Sequence, residues 1–329
     1  FNAKEVTISI WAFAKLSLPM KSGTLQALEE NLVSSKPTYL NPREVSTVLW
    51  GYARSRQAPA PAIQLVLEKN FANGMREHVF SSSFGGYQAL LNTAWALRKM
   101  RLSPSEAMKE TMTWAASSLI PVLSIPKACA LVMSLASLAT TWPIEHSMNL
   151  LEVEISKEAI LDQRISPEEV ANFLYACARS NYRPRPDTWD TLIRSLKQSA
   201  EALAPSHIAQ ILWADTQLGR SLTSEVLRIM ESELSNSLRT ASTSQLAVIA
   251  SSLATSGIRQ TNIEKELERQ AHNLKGEFLA KPTEAQKFVE AMCALNPKTV
   301  IGNEILTPEN LRVLDPVSSV HSNMLLLEE

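Results

Sequence analysis

The chain has 329 residues, with 32 Lys and Arg against 33 Asp and Glu, a formal net charge of -1 and a pI near 6.6. There is no global basic field, so any contact with nucleic acid has to come from local charge. Hydrophobic residues at 45% supply a continuous core, while only 9 Gly and few alternating β-branched runs argue against a sheet-rich fold.

Helical patterning is under way by Val6, and a chain that opens on Phe1 is expected to be processed or part of something longer. The stretch Asn41 to Ala58, NPREVSTVLWGYARSRQA, sets the pattern for the rest. Asn41 is a good N-cap, and Pro42 sits where a missing N–H costs nothing. Val45, Leu49, Tyr52 and Ala53 then recur at helical spacing as one apolar stripe, with Trp50 on its edge.

The slot held by Trp50 is filled in turn by Trp11, Trp95, Met133, Tyr175, Trp213, Ser251 and Met292, at intervals of 39, 45, 38, 42, 38, 38 and 41 residues. The next column is small throughout: Ala12, Gly51, Ala96, Ser134, Ala176, Ala214, Ser252 and Cys293. Small residues repeated on one face let a neighbouring helix approach closely. Pro42, Pro126, Pro167 and Pro205 open four of these helices, and a breaker followed by a second amphipathic run (188–203, 223–238) completes a pair. The fold class is therefore all-α, an α-solenoid of about eight helix-pair repeats.

In order, the repeats cover residues 4–41, 42–86, 87–125, 126–166, 167–204, 205–243 and 244–283, and an eighth starts near Glu284. The second is the longest, and Asn73–Gly74, Ser81 to Ser83 and Gly85–Gly86 predict a loop over 70–86. The array spans 4–296. Residues 297–329 hold no complete helix pair and are expected to form an extended tail, whose Met324 to Leu327 is apolar enough to suit burial.

Cys129, Cys177 and Cys293 show no CxxC spacing, so neither a disulfide framework nor a zinc site is indicated, and the last two are expected to be buried in first helices. The apolar region 119–139 is broken by Pro121, Pro126 and Lys127 and is not a membrane span. Five scattered histidines and the absence of phosphate-loop, GxSxG and HExxH patterns leave no catalytic constellation. We expect no enzyme, no metal and no cofactor. His207 reads as a first-turn surface residue, and Glu168–Glu169 suits the positive end of a helix dipole.

The motifs VSTVLWGYARS (45–55), LLNTAWALRKM (90–100), VANFLYACARS (170–180) and IAQILWADTQLG (208–219) resemble the octotricopeptide repeats, and the related heptatricopeptide repeats, of organellar RNA-metabolism proteins. Arg185 to Trp189 is similar to the proline-rich, tryptophan-ended segment some of these repeats carry. Met133, Ser251 and Met292 depart from the aromatic slot. The resemblance implies a curved solenoid that binds single-stranded RNA or an rRNA segment in a mitochondrion, or alternatively a plastid, in RNA metabolism or within an organellar ribosome.

Three residues before the slot stand Ile8, Thr47, Asn92, Ala130, Asn172, Gln210, Val248 and Val289. Four after it stand Lys15, Arg54, Lys99, Ser137, Arg179, Gln217, Thr255 and Asn296. The two columns lie seven residues, or two turns, apart and share one stripe. Lys15, Arg54, Lys99 and Arg179 are candidate phosphate contacts, and Thr47, Asn92, Asn172 and Gln210 candidate base or ribose contacts. Cations at helix C-termini also complement the macrodipole, and the polar column also suits inter-helix hydrogen bonds. The other reading is a protein-interaction scaffold among the subunits of a large organellar complex, which the neutral net charge favours.

Overall fold

The computed structural model describes residues 2–18, 20–34, 40–80, 85–138, 144–160, 165–219, 230, 233, 238–255, 261–296, 299, 301 and 305. All regular structure among them is helical. The first unit, Phe1–Ile155, holds α1 (Ala3–Lys15), α2 (Ser22–Ser34), α3 (Pro42–Arg54), α4 (Pro61–His78), α5 (Gly86–Met100), α6 (Glu106–Leu119), α7 (Ile125–Ala136) and most of α8 (Glu145–Ile160). The second, Ser156–Glu329, holds α9 (Pro167–Arg179), α10 (Pro186–Gln198), α11 (Pro205–Leu218), α12 (Thr243–Thr255), α13 (Thr261–Asn273), α14 (Lys275–Ala280) and α15 (Pro282–Leu295).

Local chemistry starts these helices where the sequence signals it. Asn2 with Glu5, Asn41 with Glu44, and Ser166 with Glu169 form reciprocal capping boxes, so both backbone ends of the first turn are satisfied. The helix ends share a device that the sequence pattern hides. Ser17, Arg56, Arg101, Asn181 and Gly219, each six residues past its slot, all have φ between 52° and 60°. After four of these first helices the next N–H reaches back five residues: Leu18 to Phe13 O, Gln57 to Tyr52 O, Leu102 to Leu97 O and Tyr182 to Cys177 O. This is the left-handed cap that closes a helix and turns the chain back along it.

In the first unit the paired helices form two layers. In the first unit α1, α3, α5 and α7 pack in succession, as do α2, α4 and α6; in the second α9, α11, α12 and α15 pack in succession. Neighbouring first helices run parallel and in register. Gln57, past the end of α3, donates to Met20 O past the end of α1 (3.4 Å), while Lys127 at the start of α7 lies 5.9 Å from the Tyr87 ring at the start of α5. At the start of α15, Glu284 accepts from Thr243 (2.6 Å) and Ser244 (2.9 Å) at the start of α12. Small residues set the spacing. A Cβ added to Gly51 would lie 2.5 Å from Ile10 Cγ2, so α3 meets α1 at the column after the slot.

Between the layers sit Tyr52, Leu67, Phe71 and Met75, all fully buried. The Tyr52 hydroxyl donates to Glu29 Oε1 (2.8 Å), and burial, with the carboxylate beside it, pushes the phenol well above its ordinary range. Polar links tie successive second helices. Leu40 N donates to Asn70 Oδ1 (3.2 Å), the buried Glu68 accepts from Ser105 N (3.0 Å), and the Ser117 and Ser147 hydroxyls pair at 3.0 Å.

Three expectations need correction. The loop predicted over 70–86 begins only after His78, because α4 buries Leu67, Phe71, Gly74 and Met75 on one face and carries Asn73–Gly74 through as helix. Cys293 is exposed, unlike the buried Cys129 and Cys177. Its cause is a slipped register: the slot stands eight residues after the first helical residue in α3, α9, α11 and α12, which in α15 gives Glu290 instead of Met292. Ala291 then falls in the small column, and Met292 falls two past the slot, matching the buried Tyr52 and Cys177. The second run expected over 223–238 lies, apart from residues 230, 233 and 238, outside the described residues, as do Met324 to Leu327. Of the tail, Ile301 and Ile305 are buried.

Candidate nucleic-acid interface

With first helices parallel and in register, equivalent residues of successive repeats form rows. The slots demonstrate it: in the second unit the Tyr175 and Trp213 rings pack with centroids 5.0 Å apart at 38°.

In the first unit the slot row lies at the surface. Trp11 is 43% exposed, and Trp50 and Trp95 are half-buried. Four residues on, at the C-terminal ends of α1, α3 and α5, Lys15, Arg54 and Lys99 are all exposed and so form one basic edge. Packed helices lie roughly 8–10 Å apart, which spaces these cations at about one per nucleotide of an extended strand. Thr47 and Asn92, three before the slot, are half-buried on the same stripe. Thr47 Oγ1 donates to Arg43 O (2.7 Å), leaving its lone pairs outward, and Asn92 Oδ1 accepts from Gln88 Nε2 (2.9 Å), leaving its amide as a donor.

Two further cations stand at the left-handed caps of α3 and α5. Arg56 and Arg101 are exposed, two residues beyond Arg54 and Lys99, and the cap turns them back at the helix end. The columns drawn three before and four after the slot miss them. Only a column six after it, reading Ser17, Arg56, Arg101, Asn181 and Gly219, would have marked the place, through the ease with which Asn and Gly adopt that conformation.

The edge fades further on. In repeat four Ala130 and Met133 are half-buried and Ser137 is buried, with its hydroxyl donating to Ser134 O. In the second unit Tyr175 and Trp213 are 1% and 8% exposed, so this pair is core and not a platform. Asn172 and Gln210 are half-buried at their stripe positions, and Arg179 is half-buried too. Burial pulls the Arg179 guanidinium below its ordinary value, which Tyr175 partly opposes. The structure thus gathers Lys15, Arg54, Lys99, Thr47 and Asn92 on one face of the first unit and places Arg179, Asn172 and Gln210 in the second.

His207 is not a plain surface residue. Its Nδ1 accepts from Ala204 N (3.2 Å), taking the place of the capping-box Glu, and desolvation lowers its pKa despite Glu168 nearby. Among the described residues no group of three or more His, Cys, Asp and Glu is placed to hold a metal ion, and no helix is long and apolar enough to cross a membrane. No known family model matches the chain, and no curated protein matches it.

Proposed function

We propose that this protein binds RNA, single-stranded or a segment of rRNA, through the first-helix face of repeats one to three. On this reading it acts in organellar RNA metabolism or translation, as a subunit of an organellar ribosome, in a mitochondrion or alternatively a plastid. It works by binding, with no catalytic step. The observation that supports this is the row of Lys15, Arg54 and Lys99 beside partly exposed tryptophans on parallel helices in register. Aromatic platforms stack bases and cations hold phosphates, a combination suited to single strands.

Fluorescence anisotropy with a labelled single-stranded RNA tests it, comparing the native chain with one carrying Lys15, Arg54 and Lys99 as Ala. Each lost phosphate contact removes about 0.7 from the slope of log K against log salt, so the triple variant flattens it by about 2. Equal affinity and slope in both chains would refute the interface.

A second reading, a protein-interaction scaffold, draws on a different surface. Trp114 is 43% exposed on α6, beside a groove of about 490 Å³ bordered by Ser117, Ser118 and His146. It predicts binding of protein subunits without RNA contact.

A further inference from the structure

The corrected register of the last repeat puts Lys287 at its polar stripe position, three before Glu290. There it borders a pocket of about 60 Å³ whose walls include the polar Gln217, Ser251, Ser252 and Thr255 of repeats six and seven and the apolar Trp213 and Val248. The Lys287 Nζ is buried without a hydrogen-bond partner. An ammonium group carries three N–H donors, and burying it unpaired is costly, so these donors call for a partner.

The carboxylates closest in sequence are committed elsewhere. Glu284 accepts from Thr243 and Ser244 and lies 3.7 Å from Lys281 Nζ, and Glu290 accepts from Gln286 Nε2 at 2.7 Å. Desolvation outweighs their pull on Lys287 and lowers its pKa. The polar part of the remaining wall offers donors. No hydrogen bond among the described residues engages the Gln217 amide or the Ser251 and Ser252 hydroxyls. Thr255 Oγ1 donates to Ser251 O (2.8 Å).

One ammonium, one amide and two hydroxyls around so small a space match an oxyanion with three or more oxygens. We propose that this pocket takes a terminal phosphoryl group, a phosphate monoester whose oxygens meet Lys287, Gln217, Ser251 and Ser252 while Trp213 lines the side toward its ester carbon. A diester within a strand would have to thread chain out of both sides of the pocket, so the group is an end: that of a free nucleotide or the 5′ end of an RNA. The proposal stands apart from the basic edge of the first unit, and its first probe contains no RNA.

The test is thermal unfolding at fixed ionic strength with chloride, inorganic phosphate or adenosine monophosphate, using the native chain and Lys287→Met. The methionine keeps the stem and removes the charge, so the variant folds at least as stably in chloride. Saturating phosphate or the monophosphate raises the native Tm by about 2 °C or more and leaves the variant unmoved. No rise in the native chain, or the same rise in the variant, overturns the proposal. Anisotropy with 5′-phosphorylated and 5′-hydroxyl RNA of one sequence separates the sources. A preference for the phosphorylated end that Lys287→Met abolishes assigns the RNA terminus; no preference, with the monophosphate shift intact, assigns the free nucleotide. Loss of RNA binding in the Lys15, Arg54 and Lys99 variant with the phosphate shift retained separates the two sites.

Discussion

Replacing Gly51 with Ala tests how closely the repeats approach, and hence the spacing of the basic edge. In an open helix the substitution stabilises by about 1 kcal/mol, since Gly is the poorer helix former. In α3 the new Cβ would lie 2.5 Å from Ile10 Cγ2 and 3.3 Å from Ile10 O, while carbon contacts are comfortable at about 3.5–4.0 Å. Ile10 is fully buried, so it cannot swing into solvent. Relief requires α1 to retreat by about 1 Å, and overpacking of this kind costs about 1–3 kcal/mol. The net expectation is a loss of up to about 2 kcal/mol, against a gain at Gly276 in α14, where an added Cβ meets nothing within 4 Å. Urea unfolding followed by circular dichroism compares Gly51→Ala, Gly276→Ala, Ile10→Ala and the Gly51→Ala/Ile10→Ala pair. Ile10→Ala removes the colliding methyl, so the pair is less destabilised than the sum of its parts by about 1 kcal/mol or more. A stabilising Gly51→Ala, additive with Ile10→Ala, would show that α3 and α1 are not held at this distance.

Two further expectations concern caps. Arg56→Gly and Arg101→Gly each relieve a left-handed residue at φ 54°, raising stability by up to about 1 kcal/mol in urea unfolding while weakening RNA binding. Unchanged RNA affinity would remove both arginines from the interface. At His207 the folded-state pKa lies below the ordinary 6.5, so the unfolded chain binds more protons and stability is lost as pH falls through that value. His207→Gln keeps an acceptor for Ala204 N without titrating, so its Tm falls less between pH 7.5 and 5.5 than that of the native chain; an equal fall refutes the assignment.

What the sequence made legible follows the range of each interaction. Asn41 before Pro42, with Glu44 three on from the cap, is chemistry confined to one turn, and it produces the helix start that it signals. The period of the Trp50 slot is legible because every repeat needs the same apolar stripe and small neighbour. Asn73–Gly74 misleads, since a turn-forming pair gives way when Leu67, Phe71 and Met75 bury one helical face around it. The last repeat slips because Met292 resembles a slot residue in kind, and only its burial and its distance from Pro282 show it to be core. Arg56 and Arg101 escape because nothing in an arginine announces a left-handed backbone; the cap is imposed by the chain's return to the next helix.

A net charge of -1 and a local basic edge are compatible because the repeat separates the two scales. Acidic residues gather at first-helix starts, where Glu5, Glu44 and Glu169 close capping boxes and meet the positive end of the dipole. Cations gather at the ends, where Lys15, Arg54 and Lys99 meet the negative one. Each such helix is thereby polarised, and parallel stacking in register adds the polarised ends instead of cancelling them. Helix stability alone accounts for one cation per helix end. It does not account for Arg56 and Arg101, which occupy a backbone conformation that costs an arginine about 1 kcal/mol and that Gly or Asn would adopt more readily. Their presence two residues beyond Arg54 and Lys99 goes beyond what helix stability requires, and the phosphate contacts proposed for that edge would give it a reason.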